Sequence, residues 1–419
     1  MFTHLKQLIR RRSTTEHTVI KNTGWLFMGE VGSRIARGVL AIIAARMLGV
    51  SGLGEWSYAM ALGGFLSFFE DAGIGLFVTR EFAKNSVHKE SIFSTSLVLK
   101  LLLIGFAITL FLGIGPVISN IPGATKILPI VALVMIFDSL RAFFFSISRA
   151  EEKMYIESRT QLLTSFLVVF FGVLFLVISP TSFSLALGYA IGGGIGCLTI
   201  FLSVKKYIPN LRTSFSKKLF VHIFKSAWPF TILAISNVVM FSTDTLLLGH
   251  FSTVKEVGWY SAASRIIQTF YILPVLFSTV TFPVLVKKAT GSEGITFALR
   301  KSLIIMASVM IPLITVMTLE SHLIIRILFG TDYAPAALPL AILAWSYIPI
   351  FIGTVLNNAV FALNKQKKFV IANIVGVVMN AGLNLLLIPY FHATGAAIST
   401  VASLSVVTLI TIIQMRNLN

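Results

Sequence analysis

Residues 160–179 read TQLLTSFLVVFFGVLFLVIS, a run of twenty residues without a single charge. A helix needs about 20 mostly apolar residues to cross the hydrocarbon core of a bilayer, so this run predicts a transmembrane helix. Similar runs fill most of the chain, in which 56% of the 419 residues are hydrophobic and 12% are charged. A soluble domain usually carries about 25% charged residues. We therefore expect an all-α integral membrane protein without a sizeable soluble domain.

Twelve segments are apolar and long enough to be membrane spans, and a polar stretch divides them into two sets of six. The spans are predicted at 23–48, 56–79, 92–115, 127–148, 160–179 and 184–204, and then at 227–249, 258–286, 302–320, 336–362, 369–390 and 394–414. The first of them is too long for the core of a signal peptide, so we interpret it as a retained span. The predicted units are a cytoplasmic N-terminal segment 1–22, a six-helix bundle 23–204, a cytoplasmic linker 205–226, a second bundle 227–414 and a cytoplasmic C-terminus 415–419.

The basic residues set the orientation of these spans. The chain has 34 Lys and Arg against 16 Asp and Glu, a formal net charge of +18. With a cytoplasmic N-terminus, 26 of the 34 fall in seven cytoplasmic segments, Lys100 among them, while the opposite side holds Lys126, Lys255 and Arg326. The positive-inside rule predicts this asymmetry for a bacterial inner-membrane protein with both termini inside. Because the charge is dispersed over short loops, nucleic acid is not an expected partner.

The two sets of spans share short motifs in the same order. Residues 46–57 read RMLGVSGLGEWS, and residues 247–261 of the second set contain LLG followed by VGWYS. Before spans 5 and 11, AEEKMY at 150–155 resembles ALNKQKKF at 362–369. Six spans separate the copies, so both have the same orientation. We expect two bundles related by an axis along the membrane normal, with a cavity between them.

The chain resembles the oligosaccharide flippases of Wzx type, which belong to the multidrug/oligosaccharidyl-lipid/polysaccharide exporter superfamily. Residues 45–49 and 54–57 resemble the first-loop signature of that family, and residues 362–367, followed by Asn380, Asn384 and Pro389, resemble its junction between the tenth and eleventh spans. The resemblance implies a V-shaped fold of two bundles that moves undecaprenyl-diphosphate-linked glycans from the cytoplasmic to the periplasmic leaflet. It also implies membrane lipid, a polysaccharide polymerase and a chain-length regulator as partners. No cofactor is expected.

Several charged residues lie inside the predicted spans, where a charge costs roughly 3 kcal/mol or more without a partner or a wet cavity. Glu30, Arg34 and Arg37 share one helical face of span 1, which we expect to line the cavity. Span 8 carries Arg265 and Gln268. A planar guanidinium matches the oxygens of a diphosphate. We predict that the three arginines and Gln268 bind substrate. The resemblance to lipid II flippases favours Arg37 and Arg265, and leaves Arg34 against Arg37 open.

Three carboxylates in apolar spans are candidates for coupling transport to H⁺ or Na⁺: Asp244 first, then Glu30 and Asp71. The alternative is that the charges inside the membrane pair with one another for structural reasons. Those pairs would be Glu30–Arg34, Asp138–Arg141 and Asp244–Arg265.

Polar and helix-bending residues in the second half have two interpretations each. Asn373, Asn380 and Asn384 share one face of span 11. Amides suit sugar hydroxyls or hydrogen bonds between helices, and the second role is the more common. Asn380 and Asn384 remain candidate substrate ligands. Pro229 and Pro274 are candidates for the bends that alternating access requires, although prolines are frequent in membrane helices.

Two other functions fit the sequence less well. A cation-coupled multidrug exporter of the same superfamily should have an acidic cavity, whereas span 1 supplies two arginines and one glutamate. A membrane polysaccharide polymerase or glycosyltransferase generally needs a large extramembrane loop, and the longest polar stretch is about twenty residues. The seven histidines are scattered and Cys197 is the only cysteine, so no metal or thiolate site is predicted. We expect a transporter and not an enzyme.

Overall fold

The computed structural model describes residues 2–71, 73–84, 89–208, 216, 219–220, 223, 240, 242–274, 276–278, 281, 285, 295–362 and 366–416. Side chains are described from residue 21 onward, except at 295–296, 361–369 and 416. Most of the predicted linker, most of span 7 with Pro229, and much of the end of span 8 lie outside these residues. The described part is almost entirely α-helical and contains no β-strand.

The helices are numbered in chain order. The N-terminal half contains α1 (Phe2–Leu66), α2 (Phe68–Asp71), α3 (Ile74–Ala83), α4 (Lys89–Ile118), α5 (Pro122–Ala150), α6 (Met154–Ile178) and α7 (Ser182–Val204), followed by a 3-10 turn (Lys205–Tyr207). The described C-terminal half contains α8 (242–251), α9 (Val254–Phe270), α10 (Ile295–Leu319), α11 (Ser321–Phe329), a 3-10 segment (Thr331–Ala336), α12 (Ala337–Ala344), α13 (Tyr347–Ala362) and α14 (Gln366–Arg416).

Two of the long helices each consist of two arms joined by a sharp reversal. α1 breaks at Gly49, whose φ of 66° is a left-handed conformation that glycine adopts without steric cost. Its first arm runs alongside α6 and its second arm runs alongside α5, which points the opposite way. α14 breaks at His392, with a φ of 50°, and Asn380 of one arm donates to Ser403 of the other. The reversals lie where the sequence separates span 1 from span 2 and span 11 from span 12.

Eight helical segments of the described residues are long and apolar enough to cross a membrane. Lys21–Asp71 and Val370–Met415 each contain one of the reversals, so the eight segments account for ten of the twelve predicted spans. Spans 7 and 8 contain much of the chain that is not described, and the count of twelve stays a prediction. Span 2 is not one helix, because the chain breaks at Ser67 and again at Gly73, whose φ is 77°.

The two halves pack closely at one end of the molecule. Gly54 lies against the backbone of Val254, and Gly258 lies against the backbone of Val50. Two copies of one motif make reciprocal contacts of this kind when they meet across a twofold axis, so the packing supports the internal repeat.

Hydrogen bonds between the two halves stabilise the packing at the same end. Arg46 donates to the carbonyl oxygen of Leu328 at 2.9 Å, and the Tyr333 hydroxyl donates to the carbonyl oxygen of Ala45 at 2.9 Å. These contacts close the end at which α1 reverses. In the predicted orientation this is the periplasmic end.

Replacing Gly54 or Gly258 by alanine should open this end, because the added Cβ would overlap with a backbone carbonyl oxygen of the other half. Overpacking of this kind costs about 1–3 kcal/mol, enough to shift the closed-to-open ratio about tenfold. Double electron–electron resonance between spin labels on the two halves would measure the shift. Gly113→Ala is the matched control, since a Cβ there meets nothing within 4 Å. Unchanged distance distributions in both variants would contradict the packing argument.

Candidate functional site

A cavity of about 400 Å³, here called the central cavity, lies between α1 of the N-terminal half and α9 of the C-terminal half. Its charged lining consists of Glu30, Arg34, Arg37 and Arg265, and Gln268 lines it as well. The fold therefore brings together the four predicted substrate-binding residues of spans 1 and 8 and one predicted coupling carboxylate.

Helical spacing explains why these side chains share one space. Glu30, Arg34 and Arg37 are four and three residues apart, and so are on one face of α1. On α9, Arg265 and Gln268 are three residues apart and face the same cavity. Most of the remaining lining is apolar, and an apolar lining strengthens the electrostatic interactions of the charges within it.

The arginines of the central cavity differ in their partners. Arg34 Nε donates to Glu30 Oε1 at 2.6 Å, and Gln161 donates to the other carboxylate oxygen at 2.9 Å. Arg37 donates only to the carbonyl oxygen of Ser33, at 3.3 Å, among the described residues. Within the same residues, neither Arg37 nor Arg265 lies within 4.0 Å of a carboxylate. Glu30 thus offsets the charge of Arg34, and the cavity retains an excess of two positive charges.

A smaller side cavity of about 220 Å³ lies beside the central cavity within the N-terminal half, and Glu30 and Arg37 line both. Two ion pairs form part of its wall. Asp138 pairs with Arg141 at 2.8 Å, as one of the two interpretations of their spacing predicted. The other pair joins Arg149 Nε to Glu157 Oε2, also at 2.8 Å.

Neither the Arg149–Glu157 pair nor the contact of Gln161 with Glu30 could be predicted from the sequence pattern. Arg149 lies just outside the predicted span 127–148, yet it is in the last turn of α5 and lines the side cavity. Its partner lies eight residues away, across the turn between α5 and α6, so the periodicity of a single helix does not pair them. Gln161 is uncharged, and neither spacing nor hydropathy distinguishes it from the other polar residues of α6.

Asp244 lies in the core of the C-terminal half and is 2% exposed. Its carboxylate accepts hydrogen bonds from the Tyr260 hydroxyl at 2.6 Å and from Asn380 at 3.1 Å. Thr400 and Asn384 donate to it as well. These residues come from α8, α9 and both arms of α14, so the cluster joins three helices.

The alternative pairing of Asp244 with Arg265 is wrong. Among the described residues no Lys or Arg lies within 4.0 Å of the Asp244 carboxylate, and Arg265 lines the central cavity instead. Asn380 and Asn384 are fully buried in the Asp244 cluster and do not line the central cavity. Their geometry is that of hydrogen bonds between helices, the second of the two roles that the sequence left open.

Asp71 lies neither in the central cavity nor in the Asp244 cluster. It lines a third cavity, of about 300 Å³, within the N-terminal half, and Glu70 lines the same cavity. Lys100 Nζ donates to Asp71 Oδ1 at 3.1 Å, and Lys100 is only 1% exposed. The assignment of Lys100 to a cytoplasmic loop is therefore wrong. The sequence itself indicates that Lys100 is in a membrane span, because Lys100 lies within the largely apolar run STSLVLKLLLIGF at 94–106.

Comparison with known proteins adds to this geometry. The model of a family described as polysaccharide biosynthesis protein matches residues 19–289, and the MatE model matches residues 229–386. A Shigella flexneri protein described as an O-antigen transporter is 27% identical, over 91% of this chain and 94% of its own length. A Haloferax volcanii protein described as a low-salt glycan biosynthesis flippase is 24% identical, over 87% of this chain and 77% of its own length.

Among solved structures, the lipid II flippase MurJ in an inward closed conformation aligns with a TM-score of 0.77. The alignment covers 93% of this chain and 87% of that chain at 19% sequence identity. This likeness shows that the two chains share a fold. The descriptions of these two relatives name a transporter and a flippase, in agreement with the expectation that the chain is a transporter and not an enzyme.

Proposed function

Because this chain belongs to the polysaccharide biosynthesis protein family, within the multidrug/oligosaccharidyl-lipid/polysaccharide exporter superfamily, we propose that it is a flippase for a lipid-linked glycan. The substrate is an undecaprenyl-diphosphate-linked oligosaccharide, which moves from the cytoplasmic to the periplasmic leaflet of a bacterial inner membrane. A polysaccharide polymerase and a chain-length regulator then act on the exported glycan. The observation that carries the proposal is the pair of arginines in the central cavity, Arg37 and Arg265, which lack a carboxylate partner among the described residues.

The diphosphate is the part of the substrate that these arginines bind. A guanidinium donates two parallel hydrogen bonds to phosphate oxygens, and such charge-assisted bonds are stronger than neutral ones. Arg37 comes from the N-terminal half and Arg265 from the C-terminal half, so one bound diphosphate joins the two halves.

This bridging links binding to conformation. In the empty cavity the two arginines repel each other across a lining of low dielectric constant. A bound anion removes the repulsion and favours the state in which the halves lie close together around it. Release follows when the halves separate at the end held by Arg46 and Tyr333, because water then screens the contacts.

Movement of H⁺ or Na⁺ down its gradient supplies the energy, and Asp244 is the first candidate for the coupling group. Its buried carboxylate is surrounded by the hydroxyl oxygens of Tyr260 and Thr400, which are ligands of the kind that small hard cations prefer. The cluster also joins the two arms of α14 to α8 and α9, so a bound cation changes how these helices pack. Glu30 and Asp71 are the second and third candidates.

A cation-coupled multidrug exporter is the second candidate function, because residues 229–386 match the MatE model. The charge of the central cavity disfavours it, since an organic cation would meet two positive charges in excess. Purified protein in proteoliposomes separates the two functions. We expect transfer of a fluorescent polyprenyl-diphosphate-linked sugar between leaflets and no uptake of a fluorescent organic cation. The reverse result would replace the proposed function by the second.

A further inference from the structure

The side cavity has no role in binding the diphosphate, which the central cavity holds. It lies within the N-terminal half and is bounded by α1, α5, α6 and α7. Arg37 and Glu30 line both cavities, so a ligand held by Arg37 in the central cavity lies next to the side cavity. A group bonded to that ligand is therefore close to the side cavity.

The charges of the two cavities differ. The central cavity has three guanidinium groups and one carboxylate. The side cavity has equal numbers of each, namely Glu30, Asp138 and Glu157 with Arg37, Arg141 and Arg149. Four of these six charges form ion pairs within the wall. A cavity without net charge does not select an anion, but its carboxylate and guanidinium edges suit a neutral ligand with many hydroxyl groups.

The uncharged lining fits the same kind of ligand. Gln161, Thr164 and Ser165 supply polar groups, and Tyr189 supplies an aromatic ring. The Tyr189 ring packs on Trp56 with centroids 4.7 Å apart, and its hydroxyl has no hydrogen-bond partner among the described residues. A rigid ring with a free hydroxyl offers a sugar both a face to lie against and a group to bond.

We propose that the side cavity binds the sugar that is attached directly to the diphosphate. Its volume of about 220 Å³ is large enough for a single sugar ring. The diphosphate at Arg37 sets the sugar next to the side cavity, and the polar wall then recognises its hydroxyl groups. The inference rests on the proposed function, and it makes Tyr189 and Gln161 residues that determine which sugars are accepted.

The test fills the cavity without removing a charged residue. Gly193 lines the side cavity, and a Cβ there would meet Asp138 and Phe137 at 3.9 Å, an ordinary contact. Gly193→Leu therefore adds its side chain to the cavity. Gly113→Leu on α4 is the matched control, because a Cβ at that position meets nothing. Tyr189→Phe removes only a hydroxyl and serves as a variant that keeps the fold.

The measurement compares two ligands on the full chain in nanodiscs: polyprenyl diphosphate alone, and polyprenyl diphosphate that carries one hexose. We expect the wild type and Gly113→Leu to bind the sugar-linked lipid about tenfold more tightly, as two or three net hydrogen bonds would give. Gly193→Leu should abolish this preference and leave the affinity for the bare diphosphate unchanged. Tyr189→Phe should reduce the preference about threefold.

Two results would overturn the inference. A full preference for the sugar-linked lipid in both Gly193→Leu and Tyr189→Phe would place the sugar elsewhere. Equal weakening of both lipids by Gly193→Leu, with an unchanged preference in Tyr189→Phe, would show that the side cavity takes the diphosphate. Failure of the proposed function looks different, because the wild type would then bind neither lipid.

Discussion

Replacement of Arg37 or of Arg265 by alanine is expected to reduce translocation of a polyprenyl-diphosphate-linked glycan by about ten- to a hundredfold. Each change removes charge-assisted hydrogen bonds worth about 1.5–3 kcal/mol. Lysine at either position keeps the charge but loses the planar fork, so Arg→Lys should lose only about three- to tenfold. Transfer between leaflets in proteoliposomes gives the rate, and restoration of surface polysaccharide in a flippase-deficient strain gives the effect in cells.

Two controls show whether the effect belongs to the cavity. Arg80→Ala removes a guanidinium whose side chain is 74% exposed and which lines none of the three cavities, and it should transport normally. Immunoblots of membranes should show each variant at the wild-type amount. Wild-type transport in both Arg37→Ala and Arg265→Ala would refute the cationic-cavity mechanism.

Replacement of Asp244 by asparagine is expected to uncouple transport from the ion gradient. The carboxylate accepts hydrogen bonds from four donors, and an amide at this position turns one acceptor atom into a donor, so some of these hydrogen bonds must break or reverse their direction. The variant also loses the negative charge that a proton or Na⁺ would neutralise. With a coupling free energy of about 1–3 kcal/mol, transport under an imposed gradient should fall about five- to a hundredfold.

The comparison includes the other two candidate carboxylates. Glu30→Gln and Asp71→Asn should have smaller effects on the response to a gradient. Asp332→Asn changes an exposed carboxylate in the 3-10 segment after α11 and is the control. If all three amide variants of Asp244, Glu30 and Asp71 responded normally to imposed gradients of H⁺ and of Na⁺, the coupling group would have to be another residue.

Most of the fold could be predicted from the sequence because its physical cause is local. A run such as 160–179 is long enough to cross a bilayer and apolar enough to remain there, whatever the rest of the chain does. The positions of the reversals could also be predicted, because each lies between two apolar runs. Gly49, for example, directly follows the apolar run of span 1. The breaks at Ser67 and Gly73 could not be predicted, because the stretch around them is long and apolar enough for a single span even though it contains Glu70 and Asp71.

The central cavity could be predicted because its residues are spaced at helical intervals on two helices that must avoid lipid. Glu30, Arg34 and Arg37 share a face, and a charged face cannot point into hydrocarbon. The repeat then places the face between the two bundles. Which arginine remains without a partner depends on the reach of Glu30 and Gln161, and spacing does not determine that.

The partners of Asp244 and Lys100 could not be predicted, because they come from distant parts of the chain. Asp244 meets Asn380 and Thr400 only after α14 reverses at His392. Lys100 meets Asp71 because span 2 breaks between α1 and α3. In both places a long-range contact satisfies a buried charge, and hydropathy along the sequence does not contain that information.

The central claim is that one diphosphate is held at the same time by arginines from both halves. A double-mutant cycle on the dissociation constant for polyprenyl diphosphate tests it directly, with wild type, Arg37→Ala, Arg265→Ala and the double variant in nanodiscs. If one anion bridges the two side chains, the double variant should lose less than the sum of the single losses, with a coupling of about 0.5–3 kcal/mol. Strictly additive losses, or binding that neither alanine weakens, would contradict the claim.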